Sequence, residues 1–236
     1  MHHAPGPLRA DRRRLVLWRH GRTEWNVQDR AQGHADIPLD PVGREQARRA
    51  ARALATLAPA FIWSSDLQRA RGTARELAAL TGLEVVEDAR LREYHVGIRQ
   101  GTTFAEFRRS HPEVYARFLA EADYRVPGAE LPAEVEARMT AVLRDAAGAL
   151  GPGSTAVLVG HGAALRSGVL AFFEAPFRLR NMLAPLENCA WTVLEEHAER
   201  GWQIADYNAR TVPHAGSALA DEMPPHRGAV PGPGTP

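Results

Sequence analysis

The chain has 236 residues and a mass of 25.8 kDa, with 44% hydrophobic residues and a formal charge of +1 from 29 basic and 28 acidic side chains. That size and balance suit one domain with a self-sufficient core, and they supply no overall basic field for nucleic acid or an anionic membrane surface. All 29 basic residues are arginine, which excludes Schiff-base chemistry, pyridoxal phosphate and a P-loop lysine, while the single Cys189 excludes an internal disulfide and a multi-cysteine zinc site.

The N-terminal residues 1–11 are polar and lack the apolar stretch of a secretory signal, and the segment from His214 to Pro236 is rich in Pro and Gly. Both read as unstructured tails around one folded domain, 12–213. No apolar run is long enough to span a bilayer, so the expected location is cytoplasmic. Inside the domain, strand-like and helix-like segments alternate. Leu15–Trp18 reads as a strand, and Pro41–Leu57 as a helix with Pro at its start. Phe61–Trp63 is a second strand, followed by a helix that Asp66 should cap and Gly82 should close after about Leu80. Leu83–Val86 is a third strand; Pro112–Ala120 and Pro132–Leu150 read as helices, with a cap segment over about 102–131. Ala156–Val159 is a fourth strand, Ala164–Phe173 a helix, and Ala190–Leu194 with Trp202–Ala205 a closing hairpin. This alternation predicts an α/β domain with a largely parallel sheet.

Two of these strands end alike. Leu15-Val16-Leu17-Trp18-Arg19-His20-Gly21 and Ala156-Val157-Leu158-Val159-Gly160-His161-Gly162 each run apolar strand, one residue, then His-Gly. In open α/β sheets the ligand crevice lies beyond the carboxyl ends of the strands, so each histidine falls where chemistry is usually done. If the strands are neighbours, the two imidazoles face one pocket, with Gly21 and Gly162 allowing close backbone approach to a ligand. Arg69 falls in the first turn of the helix after the second strand, Glu93 follows the third strand, and Asn26 follows the first.

Such a set suits a phosphate monoester. Arg forks match the oxygens of a dianion, and a neutral imidazole attacks phosphorus when its other ring nitrogen is held as a donor. The resulting phosphohistidine divides one hard displacement into two easier ones. A second, protonated imidazole would stabilise charge on the phosphoryl oxygens, and Glu93 would donate and then recover a proton. This chemistry needs no metal and no cofactor.

The pieces Arg19-His20-Gly21-x-Thr23-x-x-Asn26, Ser65-Asp66-Leu67-x-Arg69-Ala70, Leu91-Arg92-Glu93 and the strand ending in His161-Gly162 resemble, in order and spacing, the histidine phosphatase (phosphoglycerate mutase-like) superfamily. Asn188-Cys189-Ala190-Trp191 and Tyr207-Asn208 look like its C-terminal pieces. The resemblance implies a three-layer α/β/α sandwich with a mostly parallel central sheet. It also implies that His20 is the phosphorylated nucleophile, that Arg19, Arg69, His161 and Gly162 bind the phosphoryl group with help from Asn26, and that Glu93 is the proton donor. Two departures concern the surroundings. Arg99 stands where many members carry Trp, and Leu131 where many carry Ser. Arg22, Gln32 and Gly33 are candidates for the substrate side, and His34 reads as an exposed loop residue.

Other motifs fail on context. Gly151-Pro152-Gly153-Ser154-Thr155-Ala156 precedes its strand instead of following it, so it is not a dinucleotide loop, and no His-Glu-x-x-His zinc site occurs among the ten histidines. Three functions share the remaining pocket: a phosphatase for a small ester, a cofactor-dependent mutase, and a silent phosphate-binding module. The short cap between Glu93 and Glu130 and the full catalytic set favour the phosphatase. The detailed text looks most like actinobacterial small-metabolite phosphatases of that superfamily, implying a sugar-phosphate or phosphoglycerate-like ester. Family relatives are often dimers, so a homodimer is an expectation, although no patch in the sequence identifies an interface.

Overall fold

A computed structural model describes residues 12–121 and 124–211; the two expected tails, 1–11 and 214–236, lie outside the described residues. The elements in chain order are β1 (Arg14–Arg19), α1 (Glu24–Val27), α2 (Pro41–Ala55), β2 (Phe61–Ser64), α3 (Gln68–Thr81) and β3 (Val85–Glu87). They continue with α4 (Phe104–Ser110), α5 (Pro112–Ala120), α6 (Pro132–Ala149), β4 (Thr155–Gly160), α7 (Gly162–Phe172), β5 (Trp191–His197) and β6 (Gly201–Ala209).

The six strands form one sheet in the order β3-β2-β4-β1-β5-β6. β3, β2, β4 and β1 run parallel, whereas β5 pairs antiparallel with β1 and with β6. The expected hairpin therefore closes one edge of the sheet. Successive side chains of β1 go to opposite faces, as strand geometry requires. Leu15 and Leu17 join α6 and α7 in one core, with Met139, Leu143 and Leu165. Val16 and Trp18 join α2 and α3 in the other, with Ala50, Leu54, Ala74 and Leu77. Two cores on two faces make the three-layer sandwich that the resemblance implied.

The expected helix starting at Asp66 is corrected in its capping. Leu67 is the N-cap residue and offers no side-chain acceptor. The acceptor comes from the first loop, where Asp36 Oδ1 takes the Gln68 N–H at 2.6 Å. Asp66 is instead paired with Arg92 through two bonds. Gly82 closes the helix as expected, in the left-handed conformation at φ 72°. α7 begins at Gly162, two residues earlier than predicted, so the second histidine is its N-cap residue.

The turn after β1 is laid against α2 by backbone contact. A Cβ on Gly43 would stand 2.6 Å from Arg22 N and would fall on Arg22 O, and a Cβ on Gly21 would fall on Gly43 O. Gly21 N–H also donates to Thr73 Oγ1 of α3 at 3.0 Å, and Arg22 N–H to Gln46 Oε1 of α2 at 3.0 Å. Gly21 is thus required to be small by its packing against α2.

Helix propensity alone would make Gly43→Ala stabilising by about 1 kcal/mol, but the clash with Arg22 backbone reverses the sign. Overpacking of this kind costs about 1–3 kcal/mol. Urea unfolding should give a lower midpoint for Gly43→Ala than for the wild type; an unchanged or higher midpoint would refute the contact.

Candidate active site

β1 and β4 are parallel neighbours with Arg19 opposite Gly160, so the next residues, His20 and His161, leave the sheet side by side. Their ring centroids are 5.1 Å apart, and both side chains are fully buried. His20 Nδ1 lies 2.7 Å from Gly21 O. A carbonyl only accepts, so Nδ1 carries the proton and Nε2 keeps its lone pair. That Nε2 is buried and has no hydrogen-bond partner among the described residues.

His161 is fixed in the opposite sense. Arg69 Nε donates to its Nδ1 at 3.2 Å, so Nε2 carries the proton and donates to Ser65 Oγ at 2.9 Å. Burial, and then the guanidinium of Arg69, hold both imidazoles well below the ordinary histidine pKa. Both effects favour the neutral form of each imidazole and leave the positive charge here to arginine.

Arg69 is fully buried. Its Nη1 donates to Ala35 O and its Nη2 to Gly33 O, each at 2.7 Å. Gly33 is needed for this: its φ is +51°, and a Cβ would stand 2.6 Å from Val96 Cγ2. Gln32 is also buried, and its Oε1 accepts from the Thr23 hydroxyl at 3.0 Å. The structure thus places Gln32 and Gly33 as supports of the loop that cradles Arg69. Arg22 donates through Nε to Asp40 Oδ2, the N-cap residue of α2, at 2.7 Å.

Arg19 donates to Leu186 O. Its guanidinium passes over Gly162, where a Cβ would lie 3.2 Å from Arg19 Nε. Gly162 therefore makes room for an arginine at the first turn of α7. Asn26 is the third residue of a capping box on α1. Its Oδ1 accepts from Thr23 N–H at 3.1 Å and its N–H donates to Thr23 Oγ1. The same Oδ1 also faces Asn188 Nδ2 at 3.3 Å, and Asn188 Nδ2 is 3.2 Å from His20 O. Oδ1 is thus occupied by the protein. Asn188 and Ser65 were missing from the sequence-based site set. Both sit inside motifs quoted for the resemblance, so the signal was present without the geometry that gives it meaning.

Glu93 follows a 3₁₀ turn at Ala89–Leu91 and is fully buried. Its carboxylate accepts from the N–H groups of Tyr94 at 2.9 Å, Ala163 at 3.1 Å and Ala164 at 2.8 Å. The last two belong to the first turn of α7, so Glu93 and His161 meet at one helix N-terminus, where anions are favoured. The neighbouring Arg90 pairs with Asp88 and Asp145, and Arg92 with Asp66, so these arginines are committed elsewhere. His34 is corrected from an exposed loop residue: it is half-buried, with Nε2 2.9 Å from Glu93 O.

The two departures fall outside this cluster. Arg99 is buried, with its guanidinium carbon 4.8 Å from the Phe104 ring centre and 4.7 Å from that of Phe118. The cation lies over both rings, beside a separate hydrophobic cluster that includes Phe107, Phe118 and Val126 of the cap. Leu131 is the N-cap residue of α6 and cannot accept; Glu134 Oε2 takes the Leu131 N–H at 2.8 Å.

The sequence model of the histidine phosphatase superfamily (branch 1) matches residues 15–210. Glucosyl-3-phosphoglycerate phosphatase of Mycobacterium tuberculosis is 36% identical over 211 residues, which cover 84% of this chain and 95% of that protein. A probable phosphoglycerate mutase of Escherichia coli is 36% identical over 175 residues, covering 71% of this chain and 80% of that one. Among solved structures, a mycobacterial glucosyl-3-phosphoglycerate phosphatase in complex with VO3 superposes with a TM-score of 0.76 at 36% identity, covering 84% of this chain and 99% of that one. A phosphoserine phosphatase mutant from Entamoeba histolytica in complex with phosphoserine gives 0.72 at 27% identity, covering 84% and 97%.

The two neutral imidazoles also set a pH dependence of stability. The unfolded chain protonates histidine near pH 6.5, whereas the folded protein resists until well below that. Below about pH 6.5 the unfolded state therefore binds more protons, and stability falls as pH drops toward the depressed folded values. Urea midpoints should decrease between about pH 7.5 and about pH 5.5, and decrease less in His20→Asn. An identical pH slope in the variant would place the coupling elsewhere.

Proposed function

The chain belongs to the histidine phosphatase superfamily, and from that premise we infer that it hydrolyses a small phosphate monoester of the sugar-phosphate or phosphoglycerate-like class through a phosphohistidine on His20. The observation that carries this reading is the state of the His20 ring. Nδ1 is tied to Gly21 O at 2.7 Å, and Nε2 is buried without a hydrogen-bond partner among the described residues. A desolvated imidazole lone pair beside arginines is a nucleophile waiting for an anion.

The steps follow from the neighbours. The phosphoryl dianion enters against Arg19 and Arg69, with Asn26 Nδ2 and the N-terminus of α7 as further donors. These partners supply the charge stabilisation that a metal would supply elsewhere, so no metal is required in this scheme. His20 Nε2 attacks phosphorus, the P–O bond to the alcohol breaks, and Glu93 gives its proton to the departing oxygen. His161, neutral at rest, donates through its ring N–H or takes up a proton as charge builds on the phosphoryl oxygens. In the second half, water attacks the phosphohistidine, Glu93 takes the proton, and the P–N bond breaks to return His20 and inorganic phosphate.

For Glu93 to act first as an acid, its hold by amide donors must be loosened. The incoming dianion does this by competing for the same helix N-terminus and by repelling a neighbouring carboxylate, which favours the protonated form. The similarity to glucosyl-3-phosphoglycerate phosphatase over nearly the whole folded chain supports a phosphoglycerate-like ester as substrate.

Inorganic phosphate release should be measured on 3-phosphoglycerate, glucosyl-3-phosphoglycerate, phosphoserine, sugar phosphates and an aryl phosphate, with chelator present. Wild type should release phosphate from at least one ester without added metal, and His20→Ala should lose at least about 10³-fold in rate. Isomerised product in place of phosphate would make the chain a mutase. Phosphate binding with neither activity would make it a binding module.

A further inference from the structure

Glu93 sits on a loop, and a loop alone does not hold a carboxylate to the tolerance that proton transfer needs. The groups that fix this loop come from α6 and from the first loop. Arg138, on α6, has a side chain only 17% exposed. Its Nη1 donates to Arg90 O at 2.8 Å and to Arg92 O at 2.6 Å. Its Nη2 donates to Glu93 O at 2.9 Å and to Glu130 Oε2 at 3.0 Å, and its Nε donates to Glu130 Oε1 at 2.9 Å. All the N–H donors of one guanidinium are therefore engaged, three of them on the carbonyls of the acid's own segment.

Glu130 completes the clamp from the end of the cap. Besides its bidentate pair with Arg138, its Oε2 accepts from His95 N–H at 2.8 Å, and its own N–H donates to His95 O at 2.9 Å. Segment 90–95 is thus held on both sides of Glu93. A third hold comes from His34, whose Nε2 donates to Glu93 O. The residues flanking His34 are the ones whose carbonyls hold Arg69, namely Gly33 and Ala35. One short strip of chain therefore bonds both the phosphate-facing arginine and the backbone of the acid.

We propose that Arg138, oriented by Glu130 and joined by His34, is the positioning device that sets the Glu93 carboxylate in register with the phosphoryl pocket. Arg138 touches neither substrate nor the reacting atoms in this assignment; it acts through Glu93. The proposal rests on the reading of Glu93 as proton carrier. It also requires arginine specifically. A lysine keeps the charge but offers three donors from a point, which cannot span three carbonyls and a bidentate carboxylate.

The leaving group distinguishes positioning from mere support of the fold. An alkoxide needs the proton from Glu93, whereas p-nitrophenolate departs without one. kcat/KM reports the steps through departure of the alcohol, so it isolates that dependence. Arg138→Lys should lose about 10- to 100-fold in kcat/KM on an alkyl ester such as 3-phosphoglycerate and less than about threefold on p-nitrophenyl phosphate. Glu130→Gln and His34→Ala should split the two esters in the same direction. Glu93→Gln, measured alongside, should give the same split with a larger loss.

Equal losses on both esters, or no loss, in Arg138→Lys would overturn the positioning role. If Glu93→Gln itself shows no split, the acid assignment fails, and the proposal falls with it for that separate reason. If Arg138→Lys does not fold by circular dichroism, Glu130→Gln and His34→Ala decide by the same ratio, since both keep the arginine.

Discussion

The parallel pairing of β1 with β4 is the constraint on which everything else depends. Six consecutive residue pairs, from Arg14 with Thr155 to Arg19 with Gly160, fix the register. Only in that register do His20 and His161 leave the sheet together, with ring centroids 5.1 Å apart. A slip of one residue would send Leu15 and Leu17 to the wrong core and move one histidine relative to the other. The two hydrophobic cores therefore police the active site. Each β1 side chain that reaches its proper layer, Val16 and Trp18 on one face and Leu15 and Leu17 on the other, is also a vote for the catalytic register.

Given that register, the site is an exercise in keeping positive charge while burying it. Arg69 is fully buried, and three of its bonds go to Gly33 O, Ala35 O and His161 Nδ1. These three neutral acceptors fix the guanidinium in place and solvate it in part. The cost is passed to the imidazoles, which are forced neutral by burial and by the same arginines. That penalty is also the functional gain, because a neutral His20 with Nδ1 committed to a carbonyl is the nucleophilic form.

Much of this was legible in the sequence, for an identifiable reason. Features that depend on local pattern came through: the matched His-Gly strand ends, the bounds of α5, the Gly82 stop and the apolar run of β1, buried along its whole length. Failures cluster where a distant residue overrides a local rule. Asp66 is well placed to cap α3, but Arg92 takes its carboxylate and Asp36, thirty-two residues upstream of Gln68, supplies the cap. His34 reads as a polar loop residue, and only the tertiary fold brings Glu93 O within 2.9 Å of it. Arg99 looks like a lost tryptophan until its guanidinium is seen over the rings of Phe104 and Phe118. One omission was local after all: Thr103 and Glu106 form a capping box on α4, and their Thr-x-x-Glu spacing announces it.

The absence of lysine acquires a physical meaning once these contacts are compared. An arginine-only chain invites the view that each arginine is compositional bias, and many on the surface fit it, such as Arg117 with Glu121 and Arg49 with Glu45. The buried ones do not. Arg69 bridges two carbonyls and an imidazole, Arg99 lies over two aromatic rings, and Arg138 spreads over three carbonyls and a carboxylate. Each use depends on a planar fork or a flat cation that an ammonium lacks. The bias in composition thus supplied the material, and burial selected the positions at which guanidinium geometry, beyond its charge, holds the pocket together.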